Sequence, residues 1–209
     1  MRPLEKAITG LNEEVASMCR RCIDDFKKAG QAYLEMNLQK ASEVVETQDD
    51  FEETYSKFEE DCFKVLALHQ PVASDLRRIM GLFKTGQDVE RIHSLIHRVG
   101  KKTKKILEIK AVDIPPDFKQ QIEVIDKALS ACLKIVEDPM VSQVEVIQYG
   151  ESESSRLKKS LRQATETEII AKPDDSRVMM LMMGISRHLD RIAKLVVAIS
   201  EEQDVLQGR

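Results

Sequence analysis

The sequence predicts an all-α protein made of two tandem, pseudo-symmetric three-helix bundles, and three observations carry that reading. The first is internal repetition: Ser74-Asp75-Leu76-Arg77 to Val99 returns one hundred positions later as Asp174-Asp175-Ser176-Arg177 to Ile199. Asp75/Asp175, Arg77/Arg177, Met80/Met180, Arg91/Arg191, Ile92/Ile192 and Leu95/Leu195 are identical, and the offset holds without a gap across a whole helix. Repetition of this kind marks a duplicated supersecondary unit. The second is composition. In 209 residues, 42% are apolar and 33% charged, Trp is absent, and Gly and Pro number only 8 and 6. That balance suits long amphipathic helices and leaves too few turn residues for a sandwich or barrel. The third is where the breakers fall, which is between runs of apolar residues spaced three or four apart.

The elements follow in order. A first helix is predicted from about Pro3 to Gly30, with Pro at the start where a missing N–H costs little. Leu4, Ile8, Leu11, Val15, Met18, Cys22 and Phe26 form its apolar stripe. A second runs from about Gln31 or Asn37 to Leu68, with Leu38, Ala41, Val44 or Val45, Phe51, Tyr55, Phe58, Cys62, Val65 and Leu66 inward. His69-Gln70-Pro71 closes it, because the residue before proline avoids the helical region. A third starts around Pro71 to Asp75, with Ser74 or Asp75 as cap or first-turn acid, and continues to Gly100 or beyond. Ile114-Pro115-Pro116-Asp117 is the linker. The second unit repeats the plan with helices over Phe118–Glu137, Met140 to about Ile170 and Asp174 to about Val205, broken at Asp138-Pro139 and Lys172-Pro173.

Several function classes are disfavoured by the residues themselves. A formal net charge of −4 supplies no overall drive toward nucleic acid. Met1 to Lys6 carries no apolar signal region and no stretch approaches the ~20 apolar residues of a membrane span, so the chain reads as cytoplasmic. There is no phosphate-cradling Gly loop, no Gly-x-Ser-x-Gly and no His-Glu-x-x-His, so no enzyme is expected. Cys19 and Cys22 form a C-x-x-C, but no second close pair of ligands accompanies them, and Cys22 lies in the apolar stripe with Cys19 at its edge. Both read as small buried hydrophobes.

The run Leu66-Ala67-Leu68-His69-Gln70-Pro71-Val72-Ala73-Ser74-Asp75-Leu76-Arg77, followed by Asp88-Val89-Glu90-Arg91-Ile92, resembles the signature of the PhoU family of phosphate-uptake regulators. His188-Leu189-Asp190-Arg191-Ile192 is similar to its second-repeat counterpart. The resemblance spans essentially the whole chain and implies two PhoU-type repeats, 1–113 and 114–209. It implies a non-enzymatic regulator of phosphate uptake and phosphate-starvation signalling, acting as an adaptor between a phosphate transporter subunit and a sensor histidine kinase. Such a protein would use no cofactor and be peripheral to the membrane at most, with a homodimer left open. The alternatives are a metal-binding helical bundle, or an accessory regulator of a low-affinity or sodium-dependent phosphate carrier.

Some members of that family hold metal on acid-x-x-x-acid pairs of the second and third helices. Carboxylates four apart share one helix face, and facing pairs give oxygen ligands for a hard cation or iron. Here the corresponding positions read Gln48 and Glu52, Glu90 and Ser94, Glu151 and Ser155, Asp190 and Lys194. Each pair keeps one acid and loses the other, and Lys194 repels a cation, so no metal is expected there. If the two repeat-two pairs face each other, Lys194 supplies the positive charge internally. In repeat one, Glu90, His93 and His97 fall at i, i+3 and i+7; a zinc role stands beside the reading that these histidines flank the core.

Asp75, Arg77, Arg91, Asp175, Arg177 and Arg191, the repeated charged positions, are the expected partner contacts. Arg98, Lys101, Lys102, Lys104 and Lys105 read as a solvated end of the third helix, where cations favour the helix dipole, with an acidic partner or an anionic membrane surface as the functional alternative. Met179, Met180, Met182 and Met183 read mainly as core by their spacing, with an adaptable partner surface as the alternative.

Overall fold

The computed structural model describes residues 2–138 and 140–207; Met1, Pro139, Gly208 and Arg209, and the side chains of 204–207, lie outside the described residues. The described residues form seven α-helices: α1 Pro3–Leu34, α2 Leu38–Glu46, α3 Gln48–His69, α4 Ala73–Ile109, α5 Pro116–Glu137, α6 Val144–Ala171 and α7 Ser176–Gln207. No strand occurs among the described residues. α1 and α4 pair with each other and are covered by α2 and α3, while α5 and α7 are covered by α6. The chain is therefore all-helical, as its repeat and composition predict.

Several boundaries differ from the sequence reading, each for a local reason. The second helix is two helices, because the Thr47 hydroxyl donates to the Val44 carbonyl at 2.9 Å and its own carbonyl accepts from Arg21. The apolar period runs across that break, since Val44 and Phe51 are both fully buried, whereas Leu38 is exposed. α1 does not stop at Gly30. That residue lies inside the helix, where a Cβ would meet the Ile122 side chain at 2.9 Å, so its missing side chain serves a close approach rather than a turn. α6 begins at Val144 instead of Met140, because the Asp138 carboxylate accepts from the Met140 amide at 3.0 Å and holds an extra turn. A 3-10 turn over Pro173–Asp175 precedes α7.

The first and last helices of each repeat pack on their counterparts. Asn12 donates to the Val136 carbonyl, and Tyr33 meets Phe118 edge to face at 5.1 Å, so α1 and α5 run antiparallel. Lys84 reaches Glu202 at 3.2 Å, Gln203 donates to Thr85 at 3.1 Å and the Lys102 stem crosses Gly184, so α4 and α7 are antiparallel too. This register puts residue 93 level with residue 193, the same position of each repeat, and so sets a pseudo-two-fold axis there. The buried side chains of both repeats form one continuous core, with Val15, Ile96, Ile125 and Ile192 among its innermost members.

Candidate functional site

The degenerate acid pairs converge into hydrogen-bonded sets. In repeat one, Gln48 donates to Glu52 at 2.5 Å and lies 3.4 Å from Ser94, whose hydroxyl donates to Glu90 at 3.1 Å. The amide and the hydroxyl thus occupy the carboxylates from within. In repeat two, the Ser155 hydroxyl lies 2.6 Å from Asp190 and 3.2 Å from Glu151, the shorter contact taking its single proton. Asp190 is 3% exposed and carries two ammonium groups on one oxygen, Lys158 at 2.6 Å and Lys194 at 3.1 Å. Burial pushes its carboxyl up, but hydrogen bonds from Lys158, Ser155 and Lys194 outweigh that and hold it below its ordinary value.

These residues do not fit a hard cation. A metal would have to displace hydrogen bonds already made and compete with two fixed ammonium charges at the one buried acid. Lys158 is the member that sequence reasoning missed. It sits one turn beyond Ser155 on α6, a position the acid-pair pattern does not include.

Glu90, His93 and His97 do not come together. His93 is in the core and not beside it, 1% exposed, and its Nε2 lies 3.1 Å from the Asp25 carboxylate on α1. Its ring stacks on Phe51 with centroids 3.8 Å apart, and the Arg21 guanidinium lies 5.3 Å from the Phe51 ring centroid. Burial raises the Asp25 carboxyl, yet the His93 hydrogen bond and charge, with Lys28 and Arg21, lower it further than burial raises it. His97 is half-buried, and burial, then Lys101 and His93, pushes its pKa down. Among the described residues no three His, Cys, Asp or Glu side chains are arranged to hold a metal ion. All four cysteines, Cys19 included, are buried.

The repeated charged positions divide by environment. Asp75 lies 3.9 Å from Arg78, and Asp175 pairs with Lys110 in the linker. Arg77 and Arg177 are exposed, and Arg91 is bonded to Asp88 of its own helix at 3.0 Å. The corner that carries the Gln-Pro-Val-Ala-Ser-Asp signature also exposes apolar side chains, Leu68 at 78% and Val72 at 74%, with Leu76 beside them. Gln70 and Ala73 both hold positive φ there, a backbone state costly for side-chain-bearing residues. The basic run does not end its helix. α4 continues to Ile109 with no cation in its last turn, so the dipole argument for Arg98 to Lys105 fails and those cations face α7 or solvent. Of the four methionines, Met182 is buried, Met179 and Met183 are half-buried and Met180 is 65% exposed.

No helix of the described residues is long and apolar enough to cross a membrane. Two antiparallel helical repeats with hydrogen-bonded polar sets, an exposed apolar corner and repeated surface cations define an all-helical bundle protein. The comparisons with known proteins agree and are more specific. Residues 15–103 match the PhoU domain model. It is 23% identical over 189 residues to the phosphate-specific transport system accessory protein PhoU homologue of Aquifex aeolicus, covering 90% of this chain and 85% of that protein. The Synechocystis homologue of the same name is 23% identical over 203 residues, 94% of this chain and 88% of that protein. The crystal structure of PhoU from Pseudomonas aeruginosa superimposes with a TM-score of 0.90 at 20% identity, covering 98% of this chain and 99% of that one.

Proposed function

We propose that this chain is a non-enzymatic accessory regulator of a phosphate transport system, restraining uptake and the starvation response when phosphate is plentiful. In its finer form the reading makes it a cytoplasmic adaptor that joins a transporter subunit to a sensor histidine kinase. The observation that carries it is the correspondence of nearly the whole chain to relatives named as phosphate-specific transport system accessory proteins. The division into repeats 1–113 and 114–209 belongs to the same proposal.

The surface supports a partner-binding role. A contiguous apolar corner is the kind of feature that marks a protein contact, and Leu68, Val72 and Leu76 make one beside Asp75 and Arg77. Arg177 and Arg191 add exposed cations on the second repeat. The test is deletion of the gene in phosphate-replete cells, reading phosphate uptake and starvation-gene expression. A rise in either is expected. Unchanged uptake and expression, with no transporter ATPase subunit or sensor kinase co-purifying, refutes the reading. Leu68→Asp with Val72→Asp should reproduce the deletion phenotype while leaving the melting temperature within a few degrees, since both side chains are already in water.

A further inference from the structure

Between α4 and α7 lies a cleft of 510 Å³ whose wall holds Arg91, Arg98, Arg191 and Lys194, with Leu95 and Leu195 at its base. Glu90 is its one carboxylate, and Ser94 already donates to that group. The antiparallel register places Arg91 level with Leu195 and Arg191 level with Leu95, so the two arginine backbone positions lie about 6 Å apart along the helices, with the Arg91 guanidinium held by Asp88 at 3.0 Å. We propose that this cleft binds a phosphate-bearing polyanion of nucleotide size.

The chemistry is that of a paired fork. Guanidinium groups match phosphate oxygens two at a time, and charge-assisted bonds of this type are the stronger ones. Arg91 and Lys194 are held by Asp88 and Asp190, but Arg98 and Arg191 make no ion pair among the described residues, so an anion would not have to displace an internal partner from those two. The leucines offer an apolar surface to the organic part of a ligand, and the volume falls in the range of small-molecule sites. The field is concentrated here although the chain as a whole carries a formal charge of −4. His188, level with Arg98, registers it: burial, then Lys102, Arg98, Arg191 and Arg187, pushes its imidazole down to about 4. The proposal stands apart from any role in phosphate uptake, because it is read on the purified chain.

The experiment is calorimetric titration of the full chain with ATP, pyrophosphate and inorganic phosphate, alongside co-sedimentation with vesicles of phosphatidylglycerol or of phosphatidylcholine. ATP and pyrophosphate should bind more tightly than phosphate, with the His188 ring resonances shifting during titration. Arg98→Ala with Arg191→Ala should weaken binding at least tenfold. Arg191→Gln alone should weaken it severalfold, and serves if the double variant fails to fold. Lys64→Ala, on α3, should change nothing. Binding only to phosphatidylglycerol vesicles, with neither ATP nor pyrophosphate bound, assigns the cleft to a membrane surface and overturns the proposal. No binding to any probe, or binding that the arginine variants leave intact, overturns the proposal.

Discussion

Asp190 offers the sharpest test of how the second repeat is held together. Its side chain is 4% exposed, whereas its partners are unequal: Lys158 is 30% exposed at 2.6 Å and Lys194 is 52% exposed at 3.1 Å. Lys194→Ala removes the more solvated of two redundant cations and should cost about 0–1 kcal/mol. Lys158→Ala removes the shorter charge-assisted bond and should cost about 1–2 kcal/mol. Removing both leaves a buried carboxylate with only the Ser155 hydroxyl, and an uncompensated buried charge costs about 3–5 kcal/mol. The double variant should therefore lose about 1 kcal/mol or more beyond the sum of the singles. Proton linkage adds an independent sign. In the parent the Asp190 carboxyl is held below its ordinary 3.8, so its contribution is present above that value and lost as pH falls through the lower folded value. In the double variant burial is nearly unopposed and raises the folded value, so the penalty is largest at neutral pH and shrinks as pH falls toward about 5. A urea-denaturation double-mutant cycle at the two pH values reads both effects. Additive losses within about 0.5 kcal/mol, unchanged between the two, would refute the shared-anchor account.

Asp25→Ala should cost about 2–4 kcal/mol by urea denaturation, because it strands His93 in the core, and the Asp25 contribution in the parent should fade as pH drops below 3.8. Rebuilding acids at the second repeat with Ser155→Asp, Lys158→Ala and Lys194→Asp should lower the melting temperature without metal and restore it when manganese is added; a parent that responds equally would contradict the geometry. Gly86→Ala should destabilise by about 1–3 kcal/mol, since its Cβ would meet the buried Phe58 ring at 2.3 Å, while Gly10→Ala, with nothing within 4 Å, should stabilise by about 0.5–1 kcal/mol. Native thiols should resist alkylation at neutral pH and all four should react in concentrated urea, as burial pushes Cys19 and Cys62 to about 12 and Cys22 and Cys132 well above their ordinary value.

The repeat, the prolines and the apolar spacing made most of the helices legible, because each leaves a periodic or local mark in the chain. Thr47 left none: a threonine amid continuing periodicity gives no sign that its hydroxyl will close a helix. The Asp25–His93 pair escapes the sequence for a related reason. Each is polar in its own helix, and only the packing of α1 on α4 turns two surface-like residues into one buried pair. Lys158 belongs to the same class, being a cation that matters through a neighbour on another helix. The convergence of Ser155 with Asp190 was only a conditional expectation, carried by the family resemblance, while the Arg91–Arg191 cleft required the antiparallel register of α4 on α7.

That register also changes how the two halves must come together in time. An isologous contact between separate chains forms at a rate that depends on their concentration and dissolves on dilution. Here the short connection from Lys110 to Pro115 holds each half near its complement, and a tether of a few residues supplies an effective concentration in the millimolar range. Assembly becomes a first-order event, indifferent to how much protein the cell holds. The same arithmetic has a converse. A fragment ending within the connection would bare the α1 and α4 faces and should pair with a second copy of itself, rebuilding the two-fold contact as a dimer whose population rises with concentration.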